Sequence, residues 1–143
     1  MKTISTGASR VWSTANKIGL ALLALHGLVN LPRFLMHGPP PGQAGPPSEV
    51  LVTESLLGAL AMAAAIVAWA GGSRVAARLS CAAIVLITLT ALPAYFVDVS
   101  AFTKLTVTGA VLWTVVSVAL TLAPHKAGAT SSPPLGPGMS NDG

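Results

Sequence analysis

His26, Asn30, Arg33 and His37 follow one another at intervals of four, three and four residues. At 100° per residue they fall within an arc of roughly 60°, a single narrow helix face. The stretch that holds them, LALHGLVNLPRFLMHG (residues 23–38), is otherwise apolar. A buried histidine or arginine can hydrogen-bond a quinone carbonyl, and ionisable groups inside a membrane mark transport or proton paths. Counting from Ile18 at 1.5 Å per residue, His26 lies about 12 Å along the helix and Arg33 about 22 Å. A second helix entering at Val50 carries Glu54 about 6 Å below the same boundary, the depth of Arg33. Those two are expected to form an ion pair. With His26 and Asn30 they form a candidate polar binding pocket, open toward the Arg33 side.

Other chemistry has little to stand on. Bis-histidine haem ligation needs two histidines at one depth on neighbouring helices, and only His26 is deep. Zinc would have too few ligands at one depth, and no nucleophile stands at a useful spacing from a base. Cys81 is the single cysteine, so no intrachain disulfide or cysteine metal cluster can form. No resident cofactor or metal is expected, although quinone or lipid could occupy the pocket. Each residue also has a plainer reading: Arg33 snorkels to the headgroups, His26 is a neutral histidine bonded to a Ser or Thr, and Asn30 joins helices. His37 and His125 sit at helix ends or in loops, Cys81 fills space, and Glu49 and Asp98 are solvated.

The elements that position these groups follow from composition. Charged residues make up 8% of the chain and apolar ones 52%, whereas soluble domains carry about 25% charge. The net charge of +4 is too small for a nucleic-acid surface. Four segments reach the ~20 apolar residues that span a bilayer: 18–36, 50–70, 75–96 and 103–123. Together they predict an all-α, integral-membrane four-helix bundle over 18–123, preceded by a cytoplasmic segment (1–17) and followed by a disordered cytoplasmic tail (124–143) rich in Pro, Gly and Ser. The basic start and first apolar run could pass for a signal peptide, but the run is long and no small-x-small site follows, so it is read as an uncleaved span. Pro32 is expected to free the Leu28 carbonyl and kink the first helix.

Lys2, Arg10, Lys17, Arg74, Arg78 and Lys126 fall on one side, against Arg33 and Lys104 on the other. The positive-inside rule then places both termini in the cytoplasm. Gly58, Ala61, Ala65 and Ala68 follow Glu54 on one face of the second span, where small side chains allow close helix approach. Thr106, Ala110, Trp113, Ser117 and Thr121 are expected to face inward from the fourth.

Three stretches carry a family resemblance: the polar first span HGLVNLPRF, the glutamate opening a small-residue span in ESLLGALAMAAA, and the short basic turn GGSRVAARL. Over roughly residues 18–123 the chain resembles small DoxX-like membrane proteins. That resemblance implies a bundle associated with respiratory or thiol-redox complexes, though one cysteine argues against a direct thiol role. Two functions are expected. The first is a noncatalytic accessory or assembly subunit of a larger membrane complex, or a homo-oligomer, in the cytoplasmic membrane of a bacterium. The second is a small transporter or quinone/redox-linked protein working through His26, Asn30, Arg33 and Glu54.

Overall fold

The computed structural model describes residues 12–35, 42 and 45–124; His37, His125 and the segments 1–11 and 125–143 lie outside them. The described residues are all-helical: α1 (Thr14–Asn30), α2 (Ser48–Gly71), α3 (Arg74–Ala91) and α4 (Ala101–Leu122). A 3₁₀ turn, Leu31–Leu35, extends α1, and another, Leu92–Tyr95, extends α3. With these extensions each of the four helices has 22 to 24 residues and is apolar enough to cross a membrane. At 1.5 Å per residue this is about 33 Å, slightly more than a hydrocarbon core of about 30 Å.

Local chemistry sets the helix ends. Ser13 accepts from the Asn16 N–H while the Asn16 side chain accepts from Ser13, so a capping box starts α1 at Thr14, upstream of the apolar run that opens at Ile18. Ser73 and Ser100 cap α3 and α4 in the same way, each accepting from the N–H three residues on. Gly72, with φ 65°, ends α2 in the left-handed conformation, and Ser73 starts the next helix at once. Two residues therefore suffice to reverse the chain.

Each helix packs on its neighbours in sequence, and α1 closes the ring against α4. α1 also touches α3 across the centre, which leaves α2 and α4 as the separated diagonal. One end of the bundle carries Trp12, Ala68, Arg74 and Thr121, and the other carries Arg33, Glu54, Thr90 and Ala101.

The interior combines a few large aliphatic side chains, Leu20, Leu23, Ile84 and Ile87, with many small ones. Ala61, Ala65, Ala68, Ala77, Ser80 and Ser117 are buried, whereas Leu56, Ile66, Val75, Leu89, Leu105 and Leu112 are exposed. Lipid tails are as apolar as leucine, so large side chains can also face outward, and small residues inside let the backbones approach closely. α1 approaches α4 closely at Gly19, where a Cβ would run into the Thr121 backbone nitrogen, and it crosses α2 as closely at Gly27 and Gly58. A Cβ on Gly27 would stand 2.5 Å from the Gly58 carbonyl oxygen, and one on Gly58 would stand 2.8 Å from the Gly27 oxygen.

The fourth helix meets expectation at Ser117 and Thr121, which are buried, and departs from it at Thr106, Ala110 and Trp113. Its buried residues are Val107, Thr114, Ser117 and Thr121; Thr106 is exposed and Ala110 half-buried. Trp113 keeps 38% of its surface exposed. An indole is too bulky for an interface this close, so it lies along the groove beside α1, its N–H donating to the Leu22 carbonyl at 3.3 Å. The rotation of α4 is fixed by a hydroxyl pair, Thr88 with Thr114 at 2.7 Å.

Alanine at Gly27 should therefore destabilise the fold by about 1–3 kcal/mol, since the backbone of α2 must give way. Gly109 has open space where its Cβ would be, and Gly109→Ala should be neutral or mildly stabilising through helix propensity. Thermal melting in mild detergent separates the two; equal effects would rule out a close α1–α2 crossing.

Candidate functional site

The polar groups of α1 lie where its helix geometry breaks. Pro32 has no N–H to offer the Leu28 carbonyl, and the Leu31 N–H takes that carbonyl in a shorter, 3₁₀-type bond. One turn later Ser55 of α2 enters the ladder. The Phe34 N–H donates to Ser55 Oγ at 2.8 Å. The Ser55 proton is shared between the carbonyls of Leu51, at 3.0 Å, and Asn30, at 3.1 Å. A hydroxyl from the neighbouring helix thus stands between an N–H and the carbonyl it would meet in an unbroken α-helix.

Beside this stitch lies a buried carboxylate. Glu54 has 4% of its side chain exposed, and Arg33, 40% exposed, donates Nη1 to its Oε2 at 2.9 Å. Thr90 Oγ1 lies 2.8 Å from Glu54 Oε1. Both carboxylate oxygens are therefore occupied, one from the turn after α1 and one from α3. A carboxylate in an apolar interior needs such pairing, because an unpaired charge there is strongly disfavoured.

Deeper in the bundle are His26, 9% exposed, and Asn30, 3% exposed. Asn30 Nδ2 donates to the His26 carbonyl at 2.9 Å. Its Oδ1, and His26 Nδ1, are buried without a hydrogen-bond partner among the described residues. The two residues are one helical turn apart on one face, with Cβ atoms about 6 Å apart. The His26 ring faces Trp113, with centroids 5.8 Å apart and planes inclined by 58°. Gly58 lies directly over this turn, 3.0 Å from the Asn30 Cβ at the point where its own Cβ would stand. Ala61 and Ala65 continue the wall among the buried core residues.

The four candidate residues thus form two contacts, Arg33 with Glu54 and Asn30 with the His26 backbone. Asn30 is tied to the Glu54 turn through Ser55. His26 and Asn30 are enclosed by helices. Among the described residues no group of three His, Cys, Asp or Glu side chains could hold a metal ion.

Sequence reading passes over Ser55 and Thr90, since a single hydroxyl in an apolar helix carries no periodic signal. It also passes over Asn16, which had one. Residues 16, 19, 23, 26 and 30 share a face at helical spacing, so the polar stripe begins at the start of α1. Asn16 Nδ2 donates to the carbonyls of Leu120, Thr121 and Ala123 at 3.1, 2.9 and 3.1 Å. The end of α4 is thereby capped by a side chain from α1.

Comparison of the chain with protein-family models, curated proteins and solved structures finds no match. The likeness to DoxX-like proteins gains no support there, and function has to be read from this geometry.

Removing the Ser55 hydroxyl should cost about 1–3 kcal/mol, because the Phe34 N–H loses its acceptor. In a Pro32→Ala background, where the α-helical ladder can continue, Ser55→Ala should cost markedly less. A double-mutant cycle by melting in detergent measures this coupling; equal costs in both backgrounds would mean that Ser55 does not repair the proline break.

Proposed function

We propose that the chain is a noncatalytic accessory or assembly subunit of a larger membrane complex, in the cytoplasmic membrane of a bacterium with both termini inside. The observation that carries this reading is how the interior polarity is used. Glu54, Ser55, Ser80, Thr88 and Asn16 each bond to a neighbouring helix. Side chains that look costly for lipid are thus engaged in holding the bundle together. The orientation rests on charge: Lys17, Arg74 and Arg78 lie at the Trp12 end, whereas Glu49, Glu54 and Asp98 lie at the other with Arg33 and Lys104. A bundle stitched in this way offers a rigid apolar exterior to lipid and to partner helices.

The unpartnered His26 Nδ1 and Asn30 Oδ1 favour a second reading, a quinone or other small polar guest held beside Trp113 in a redox-linked or transport protein. One group can donate or accept, according to its tautomer, and the other only accepts.

A pull-down of tagged protein from native membranes in mild detergent, with co-purifying chains identified by mass, tests the first reading. A stoichiometric larger partner is expected; recovery alone or as a pure homo-oligomer would contradict it. For the second, titration with a short-chain quinone should give saturable quenching of tryptophan emission that His26→Ala abolishes without lowering the melting temperature. Quenching that never saturates would dismiss it.

A further inference from the structure

A cleft of about 320 Å³ opens at the Trp12 end of the bundle, between the start of α1, the first turns of α3 and the end of α4. Trp12, Asn16, Arg74, Arg78, Thr121 and Pro124 line it. We propose that this cleft binds the headgroup of an anionic phospholipid, with Arg74 and Arg78 as the phosphate-binding pair. The inference needs the chain to lie in a bilayer and does not depend on its being an accessory subunit.

The neutral polar groups of the cleft are already engaged. Asn16 donates to the α4 carbonyls and accepts from Ser13. The Trp12 indole N–H donates to the Ala68 carbonyl at 2.8 Å, so Trp12 presents ring rather than donor. The Thr121 hydroxyl donates to the Ser117 carbonyl at 2.7 Å. What remains for a ligand is the pair of guanidinium groups. Arg74 and Arg78 are exposed and one turn apart, hence on one face of α3, and among the described residues neither meets a carboxylate. All the described acids, Glu49, Glu54 and Asp98, are at the far end of the bundle.

Charge therefore selects an anion. The planar N–H fork of arginine matches phosphate oxygens, and the N-terminus of α3, at Arg74, adds its partial positive charge at the same place. The surroundings select a lipid rather than a soluble phosphate. The cleft lies at the ends of membrane-length helices, where an indole ring sits at headgroup level, and apolar Ala77 and Leu122 flank the arginines. Basic pockets between membrane helices are the usual seat of such headgroups.

The full chain, purified in mild detergent, should be titrated with phosphatidylglycerol and separately with phosphatidylcholine, and lipid-bound species counted by native mass spectrometry. One phosphatidylglycerol should bind more tightly than the rest and phosphatidylcholine should not replace it. Each arginine is worth about fivefold in affinity; Arg74→Gln with Arg78→Gln should weaken the tight site about 25-fold, while Arg74→Lys with Arg78→Lys retains most of it. Lys104→Gln, at the opposite end, should change nothing. Equal binding of the two lipids, an unaffected double glutamine variant, or equal loss in Lys104→Gln would overturn the site. Displacement of the lipid by millimolar inorganic phosphate would also overturn it, making free phosphate the ligand.

Discussion

A carboxylate buried in an apolar bundle has to be satisfied from within the protein, and much of this architecture follows from Glu54. Its oxygens are held by Arg33 on one side and Thr90 on the other. The ion pair therefore draws the turn after α1 toward α2, and the threonine draws α3 to the same point. Separating the helices would leave the buried Glu54 carboxylate without these partners. The pair serves less as a source of net stability than as a constraint on which helices meet and at what height.

Around this point close backbone approach works together with the buried aliphatic side chains Leu20, Leu23 and Ile84. Gly27 and Gly58 bring two backbones together, and single hydroxyls reach across the short gaps. Ser80 donates to the Ala61 carbonyl at 2.8 Å and Thr88 meets Thr114 at 2.7 Å. The proline break fits the same logic: the ladder interruption after Asn30 is repaired by Ser55, next to Glu54 in sequence. At the opposite end Asn16 does the corresponding work for α4. The stripe on α1 therefore meets a neighbouring helix at both of its ends, and His26 lies between these fixed points against Trp113.

Much of this was legible in the amino-acid sequence. Four apolar runs of membrane length needed only hydropathy, and the hairpin between α2 and α3 followed from the shortness of GGSR. The small-residue face from Gly58 to Ala68 was readable from helical spacing, as was the common depth of Arg33 and Glu54. The rotation of α4 was not, because nothing in its spacing distinguishes the Thr106–Trp113 face from the Val107–Thr114 face. A tertiary contact, Thr88 with Thr114, decides between them. The roles of Ser55 and Thr90 were equally hidden, since each depends on where a partner helix places a carbonyl or a carboxylate. Asn16 could have been found by following the stripe back along its own period.

The central claim is that Arg33 and Glu54 act as a pair that fixes the bundle. Exchanging them tests it most directly: Arg33→Glu, Glu54→Arg and the double exchange, each measured as folded, monodisperse protein recovered from the membrane. Each single exchange should reduce recovery severely, by placing two like charges at a buried point, and the double exchange should restore most of it. A double variant recovered no better than the worse single one would contradict the claim and leave Arg33 as an arginine that reaches the headgroups without holding the helices.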